Sequence, residues 1–165
     1  MDRQQIGVKL TIDSLGLPFS IDSFDNRLIL QKAIYLAQAA GVDLGYYYHW
    51  YLHGPYSPSL TKDEYAIAVD LGCGMDESKG WRLDKTSISN LSGLQSLIPR
   101  TSDTQQIRRK LELLASVHYL INRKEVPGCD AEEIIKVFRR FGKDFQEEEV
   151  EKAIGELKTN GFLSE

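Results

Sequence analysis

The chain has 165 residues, 42% of them apolar, with 20 basic and 24 acidic side chains and a net charge of −4. That length supports one domain, or one domain with a small appended lobe, and the charge balance gives no global attraction to nucleic acid or to an anionic membrane. Its apolar runs fall far short of the roughly 20 residues that cross a bilayer, and the start MDRQQIGVKL lacks a signal-peptide core. The only cysteines, Cys73 and Cys129, have no CxxC spacing, so the chain reads as cytoplasmic, with two reduced thiols and no metal.

Residues 2–15 predict a short helix with Ile6, Leu10 and Ile12 inward, ended by Gly16-Leu17-Pro18. A clearer helix runs from Asn26 to Gln38, capped by Ser23 or Asp25 and stopped by Gly41. Ile29, Leu30, Ala33, Leu36, Ala37 and Ala40 share one broad face, while Phe24, Leu28 and Tyr35 form a second apolar strip. A helix apolar on two sides belongs in the middle of a fold. Arg27, Gln31 and Gln38 line one polar stripe, and Asp25 with Lys32 makes another. If buried, these groups must find partners on nearby backbone or line a solvated groove.

The most distinctive stretch is Tyr46 to Ser57, YYYHWYLHGPYS. Aromatic residues suit a pleated, half-buried strand, and Gly54-Pro55 is strong turn punctuation. Alternation puts Tyr46, Tyr48, Trp50 and Leu52 on an apolar face, and Tyr47, His49, Tyr51 and His53 on a face of polar-tipped rings. On a strand His49 and His53 stand roughly 13 Å apart, too far to share a metal.

Ser57-Pro58 starts the next helix, with serine as the cap and proline in the first position. It runs to about Leu71, with Leu60, Ile67 and Leu71 inward, and ends at Gly72-Cys73-Gly74. Residues 72–86 predict irregular chain with a short hairpin around Trp81-Arg82-Leu83. The glycines of this stretch fit no phosphate-loop spacing. A short helix from Ser87 to Ile98 leads to Pro99, the boundary between regions 1–100 and 101–165, which are expected to pack as one domain.

Ile107, Leu111, Leu114, His118 and Ile121 mark an amphipathic helix over 103–123, with His118 as a satisfied core residue. Asp130 caps a helix over 131–141. Asp144 with Glu147 fits a capping box for another over 145–159, ended by Gly161 and followed by Phe162-Leu163 as a short strand. The expected fold is mainly α with a small β component: a compact helical domain with an aromatic strand and a C-terminal, winged-helix-like three-helix segment.

Charge bears on how that segment is used. Its last helix begins Gln146-Glu147-Glu148-Glu149, which suits the helix dipole and repels phosphate. Lys136, Arg139, Arg140 and Lys143 would be the nucleic-acid surface of the alternative reading, a winged-helix transcriptional regulator, with Arg108, Arg109 and Lys110 as a second basic cluster.

LQKAIYLAQ at 30–38, the tyrosine-rich strand, and HGPYSPSL at 53–60 together resemble the prokaryotic Panacea domain family and its phage-associated relatives. Leu30, Gln31 and Lys32 match its leucine-glutamine-lysine helix, and Gly54, Pro55, Tyr56 and Ser57 match its glycine-proline-tyrosine-serine turn. His53 stands where that pattern has tyrosine. The resemblance covers roughly residues 24–71, and LELLASVHYL at 111–120 is similar to a later helix of such proteins.

The resemblance implies an antitoxin or accessory protein of a toxin or mobile-element locus that binds a protein partner, such as a toxin, without catalysis or cofactor. In the residues themselves there is no nucleophile beside a base and no cofactor loop. The candidate partner-binding residues are Gln31, Lys32, His49, Tyr51, His53, Gly54, Pro55, Tyr56 and Ser57. A third reading is a small-molecule enzyme with a pocket beside Gln31, Lys32 and His49.

Overall fold

The computed structural model describes residues 1–164. It orders the chain as α1 (Arg3–Ser14), α2 (Phe24–Ala39), β1 (His49–Tyr51), β2 (Gly54–Tyr56), α3 (Pro58–Gly72), α4 (Lys85–Leu97), α5 (Thr104–Asn122), α6 (Ala131–Arg140) and α7 (Glu147–Thr159). The fold is thus mainly α with a small antiparallel sheet. Among the described residues no helix is long and apolar enough to cross a membrane.

Two helices form the axis. Every residue from Leu28 to Ala37 of α2 and from Leu111 to Leu120 of α5 is buried, and these helices pack against each other. The other helices cover them, with α1, α3 and α4 on α2, α7 on α5, and α6 on α7. The two apolar strips of α2 therefore put it at the centre, and a single cluster of buried side chains runs from Val8 to Leu163 across Pro99. Side-chain oxygens of Asp2, Ser23, Ser57, Asp84, Asp103 and Asp130 accept backbone N–H groups at the starts of α1 to α6. Each cap satisfies donors that have no partner within the helix.

Several local expectations change. α1 buries Val8, Thr11 and Ile12 while Ile6 and Leu10 stay half-exposed; Thr11 is admitted because its hydroxyl donates to the Gly7 carbonyl at 2.8 Å. α7 starts at Glu147 rather than 145, because Phe145 is buried against Phe138, and the Glu149 carboxylate caps the Gln146 N–H at 2.7 Å. The Asp144–Glu147 box is therefore replaced by Gln146–Glu149, two residues later. No hairpin forms at Trp81, which is exposed beside a turn closed by Ser78 on Asp76. Phe162 and Leu163 bend rather than form a strand, because the Phe162 N–H turns back to the Leu157 carbonyl. The three C-terminal helices are present, but no wing strand follows them among the described residues.

The aromatic stretch is a hairpin, with His49 opposite Tyr56, Trp50 opposite Pro55 and Tyr51 opposite Gly54. Leu52-His53 is the turn, and Gly54-Pro55 opens the second strand instead of closing the first. Pro55 fits because a two-stranded sheet leaves an edge that needs no N–H from it. The expected alternation holds from Tyr46 to Tyr51: Tyr46 and Tyr48 are buried, Trp50 is half-buried, and Tyr47, His49 and Tyr51 are exposed. It fails at Leu52, which the turn leaves exposed.

Gly54 leaves the turn at φ 89, and a Cβ there would collide with Ser116 Oγ on α5. Gly54→Ala is expected to lower unfolding stability by about 1–3 kcal/mol, since both the left-handed backbone and the close approach oppose a side chain. Ser116→Ala should restore part of that loss by removing the clashing oxygen. Denaturant unfolding of the three variants checks this, and an unchanged midpoint for Gly54→Ala would contradict it.

Candidate partner-binding surface

Polar side chains on α2 hold the hairpin from below. Gln38 donates Nε2 to the Tyr46 carbonyl at 3.0 Å and accepts the Tyr46 N–H at 2.9 Å. Gln31 makes the same double contact at the other end, donating to the Ser57 carbonyl at 3.1 Å and accepting the Ser57 N–H at 3.0 Å. Seven residues apart, the two glutamines lie on one face about 10.5 Å apart along the axis. Between them the Lys32 ammonium donates to the Pro55 carbonyl at 2.5 Å. Burial pushes the Lys32 pKa down to about 7, Lys143 adds to the shift, and Glu112 and Glu64 oppose it.

From the other side, α5 offers Glu112. Its carboxylate accepts from Lys143 Nζ at 2.5 Å and Arg108 Nη1 at 2.6 Å, and lies 3.6 Å from His53 Nδ1. Burial by itself would raise the Glu112 pKa, but Lys143 and Arg108 hold it below the ordinary carboxylate value. Trp50 packs beside Tyr119 and Phe141, with Lys143 Nζ 5.8 Å from its ring centre. Deeper in the core, His118 Nδ1 pairs with the Tyr35 hydroxyl at 2.8 Å, and burial lowers its pKa to about 4. It is a neutral core histidine, as its apolar setting implied.

The outer face is different. Tyr51, Leu52 and His53 are exposed at 53%, 67% and 46%. The His53 ring meets Phe24 edge-on at 5.0 Å, and Tyr51 meets Tyr56 at 5.2 Å. Phe24, Tyr56 and Tyr65 then surround a cavity of about 270 Å³, with Arg27, Gln31, Thr61 and Glu64 also on its wall. Thr61 Oγ1 accepts from Gln31 at 2.9 Å and donates to the Tyr56 hydroxyl at 2.8 Å. Burial pushes the Glu64 pKa up to about 8, against the pull of Arg27 and Lys32.

The structure thus divides the residues singled out from sequence. His49, Tyr51, His53 and part of Tyr56 reach the surface, whereas Gln31, Lys32, Gly54, Pro55 and Ser57 are buried and position the hairpin instead of meeting a large partner. Lys32 is only 1% exposed, with its ammonium on the Pro55 carbonyl. Among the basic candidates, Lys136 pairs with Glu133 at 2.7 Å, and Arg139 and Arg140 are exposed. Lys143 is withdrawn from any phosphate, because its ammonium is buried on Glu112. Arg108, Arg109 and Lys110 are bound to Glu112, Glu149 and Glu156.

Sequence reasoning did not single out Glu64, Phe24 as a rim residue, or Tyr65. Glu64 had a visible signal, since it stands four after Leu60 and three before Ile67 on the inward stripe of α3. Comparisons of the chain with protein-family models, with curated proteins and with solved structures each found no match.

Two buried groups give stability an unusual pH dependence. Between the ordinary carboxyl value of 4.5 and about 8 the folded chain holds a proton on Glu64 that the unfolded chain has released, so this group lowers stability as pH rises through that window. Lys32 acts oppositely: between about 7 and 10.5 the unfolded chain holds a proton that the folded chain has released, so stability rises with pH there. Glu64→Gln removes the first effect. Its stability relative to the parent should increase by on the order of 4 kcal/mol between about pH 5 and pH 9. Denaturant unfolding at both pH values checks this, and a constant difference would show that Glu64 does not titrate in that range.

Proposed function

We propose that the chain is a non-enzymatic protein-interaction module, antitoxin-like or accessory to a toxin or mobile-element locus, whose aromatic hairpin docks a protein partner. The observation that carries this reading is the exposed group Phe24, Tyr51, Leu52 and His53, joined through half-buried Tyr56 to Tyr65 across the cavity. Monomeric proteins rarely leave aromatic side chains clustered in this way without a use, and aromatic anchors carry much of the energy of protein contacts. The support beneath is rigid, because both ends of the hairpin are hydrogen-bonded to α2. A surface fixed in advance loses little conformational entropy when it binds. The partner's identity as a toxin follows from the family resemblance alone.

Affinity capture of the tagged chain from its own host, with and without nuclease treatment, is expected to retain a stoichiometric protein that survives the nuclease. Tyr51→Ala with Leu52→Ser should weaken that capture by about 10–30-fold. The same pair should change unfolding stability by no more than about 0.5 kcal/mol, because both side chains are largely exposed. Undiminished capture by a folded double variant, or recovery of nucleic acid alone, would sink the proposal. In the second case Arg139 and Arg140 become the residues to neutralise.

A further inference from the structure

Glu64 is 1% exposed, yet neither of its carboxylate oxygens has a hydrogen-bond partner among the described residues. Other buried charges here are matched: Glu112 receives Lys143 and Arg108, and Lys32 donates to Pro55. A buried polar group left without a partner is costly, and native chains retain one only for a reason.

Glu64 lines the cavity together with the rings of Phe24, Tyr56 and Tyr65. The basic group on the same wall, Arg27, donates its Nη1 to the Ile21 carbonyl at 2.9 Å and forms no ion pair with Glu64 among the described residues, although its charge still pulls the Glu64 pKa down. Gln31 and Thr61 are satisfied by each other and by Ser57 and Tyr56. Glu64 is therefore the buried group on this wall with its acceptor capacity unused. Aromatic faces around a carboxylate suit a cation on an apolar stem, because the ring quadrupole and the carboxylate attract the same charge. At about 270 Å³ the space is small for a metabolite of ordinary drug size but large enough for one long side chain. The chain's net charge of −4 also favours a basic partner.

We propose that the cavity receives one lysine or arginine side chain of the protein partner, with its cationic head on the Glu64 carboxylate and its stem between Phe24, Tyr56 and Tyr65. The inference rests on the docking reading above and adds the chemistry of the anchor. Both oxygens are closed to solvent in the unbound chain, so the Glu64 side chain turns toward the cavity and gives up its proton as the cation enters.

The test titrates the isotope-labelled full chain with N-acetyl-arginine amide and N-acetyl-lysine amide, followed by NMR, with N-acetyl-norleucine amide as the uncharged stem. Saturable shifts at Phe24, Tyr56, Glu64 and Tyr65 are expected for at least one cation, weakened at least tenfold for norleucine amide and in Glu64→Gln. That variant keeps the side chain's shape, and its amide spectrum reports whether it is folded. Absence of saturable shifts with either cation, equal binding of the uncharged stem, or undiminished binding to Glu64→Gln overturns the proposal. Partner capture separates the two ideas. If Tyr51→Ala weakens capture and Glu64→Gln does not, the docking face stands and the basic anchor falls; if neither weakens it, both fall.

Discussion

The Lys32 ammonium beneath the Pro55 carbonyl, flanked by the double hydrogen bonds of Gln31 and Gln38, is the constraint on which the rest of the structure depends. It places three polar groups on a helix that is buried without a break from Leu28 to Ala37, where each would be costly without a partner. The backbone of the aromatic hairpin supplies those partners. A slip of one residue in the register would turn Tyr47 and His49 inward and Tyr46 and Tyr48 outward. The glutamines oppose such a slip because each recognises both the N–H and the carbonyl of one residue. Buried polar contacts of this kind add modest net stability but select strongly among competing packings.

The charged residues of the C-terminal helices serve the same arrangement from the other side. Glu112 gathers Lys143 from the turn after α6 and Arg108 from its own helix, and Arg108 Nε lies 3.3 Å from Asp25 at the start of α2. This chain of charges ties residues on both sides of Pro99 to the hairpin. A buried ion pair of this sort is weak evidence for stability, because desolvation offsets much of the attraction. Its consequence here is positional. It fixes Lys143 near Trp50 and removes it from the surface, while Lys110 and Arg109 bind the carboxylates of α7.

Rigidity below and exposure above belong together. Tyr51 and His53, which face solvent, stand on hairpin backbone anchored at both ends, and Phe24 beside them opens α2, so little ordering remains for a partner to impose. Glu64 departs from this pattern, being the one buried carboxylate with neither oxygen hydrogen-bonded among the described residues; Trp50 Nε1, Arg108 Nε and Ser116 Oγ are single buried atoms in the same state. Places where local rules fail while the surroundings obey them are where function commonly resides.

The sequence by itself determined the helices and the inward faces of most of them. α2, α3, α5 and α6 lie close to where periodicity and caps put them, because Ser23, Ser57 and Asp130 act through neighbours only a few residues away. Gln31 and Lys32 on α2, and Pro55 and Ser57 after the turn, stood out in the sequence and prove to be hydrogen-bonded to one another. Only the tertiary structure decided which of these polar side chains would be clamps and which would be surface. Lys143 and Arg139 look equivalent in sequence, yet one is buried on Glu112 and the other is exposed. The difference arises because charge partners such as Glu112 and Lys143 lie 31 residues apart along the chain, and solvent access is set by the packing of whole helices, neither of which leaves a trace in local spacing.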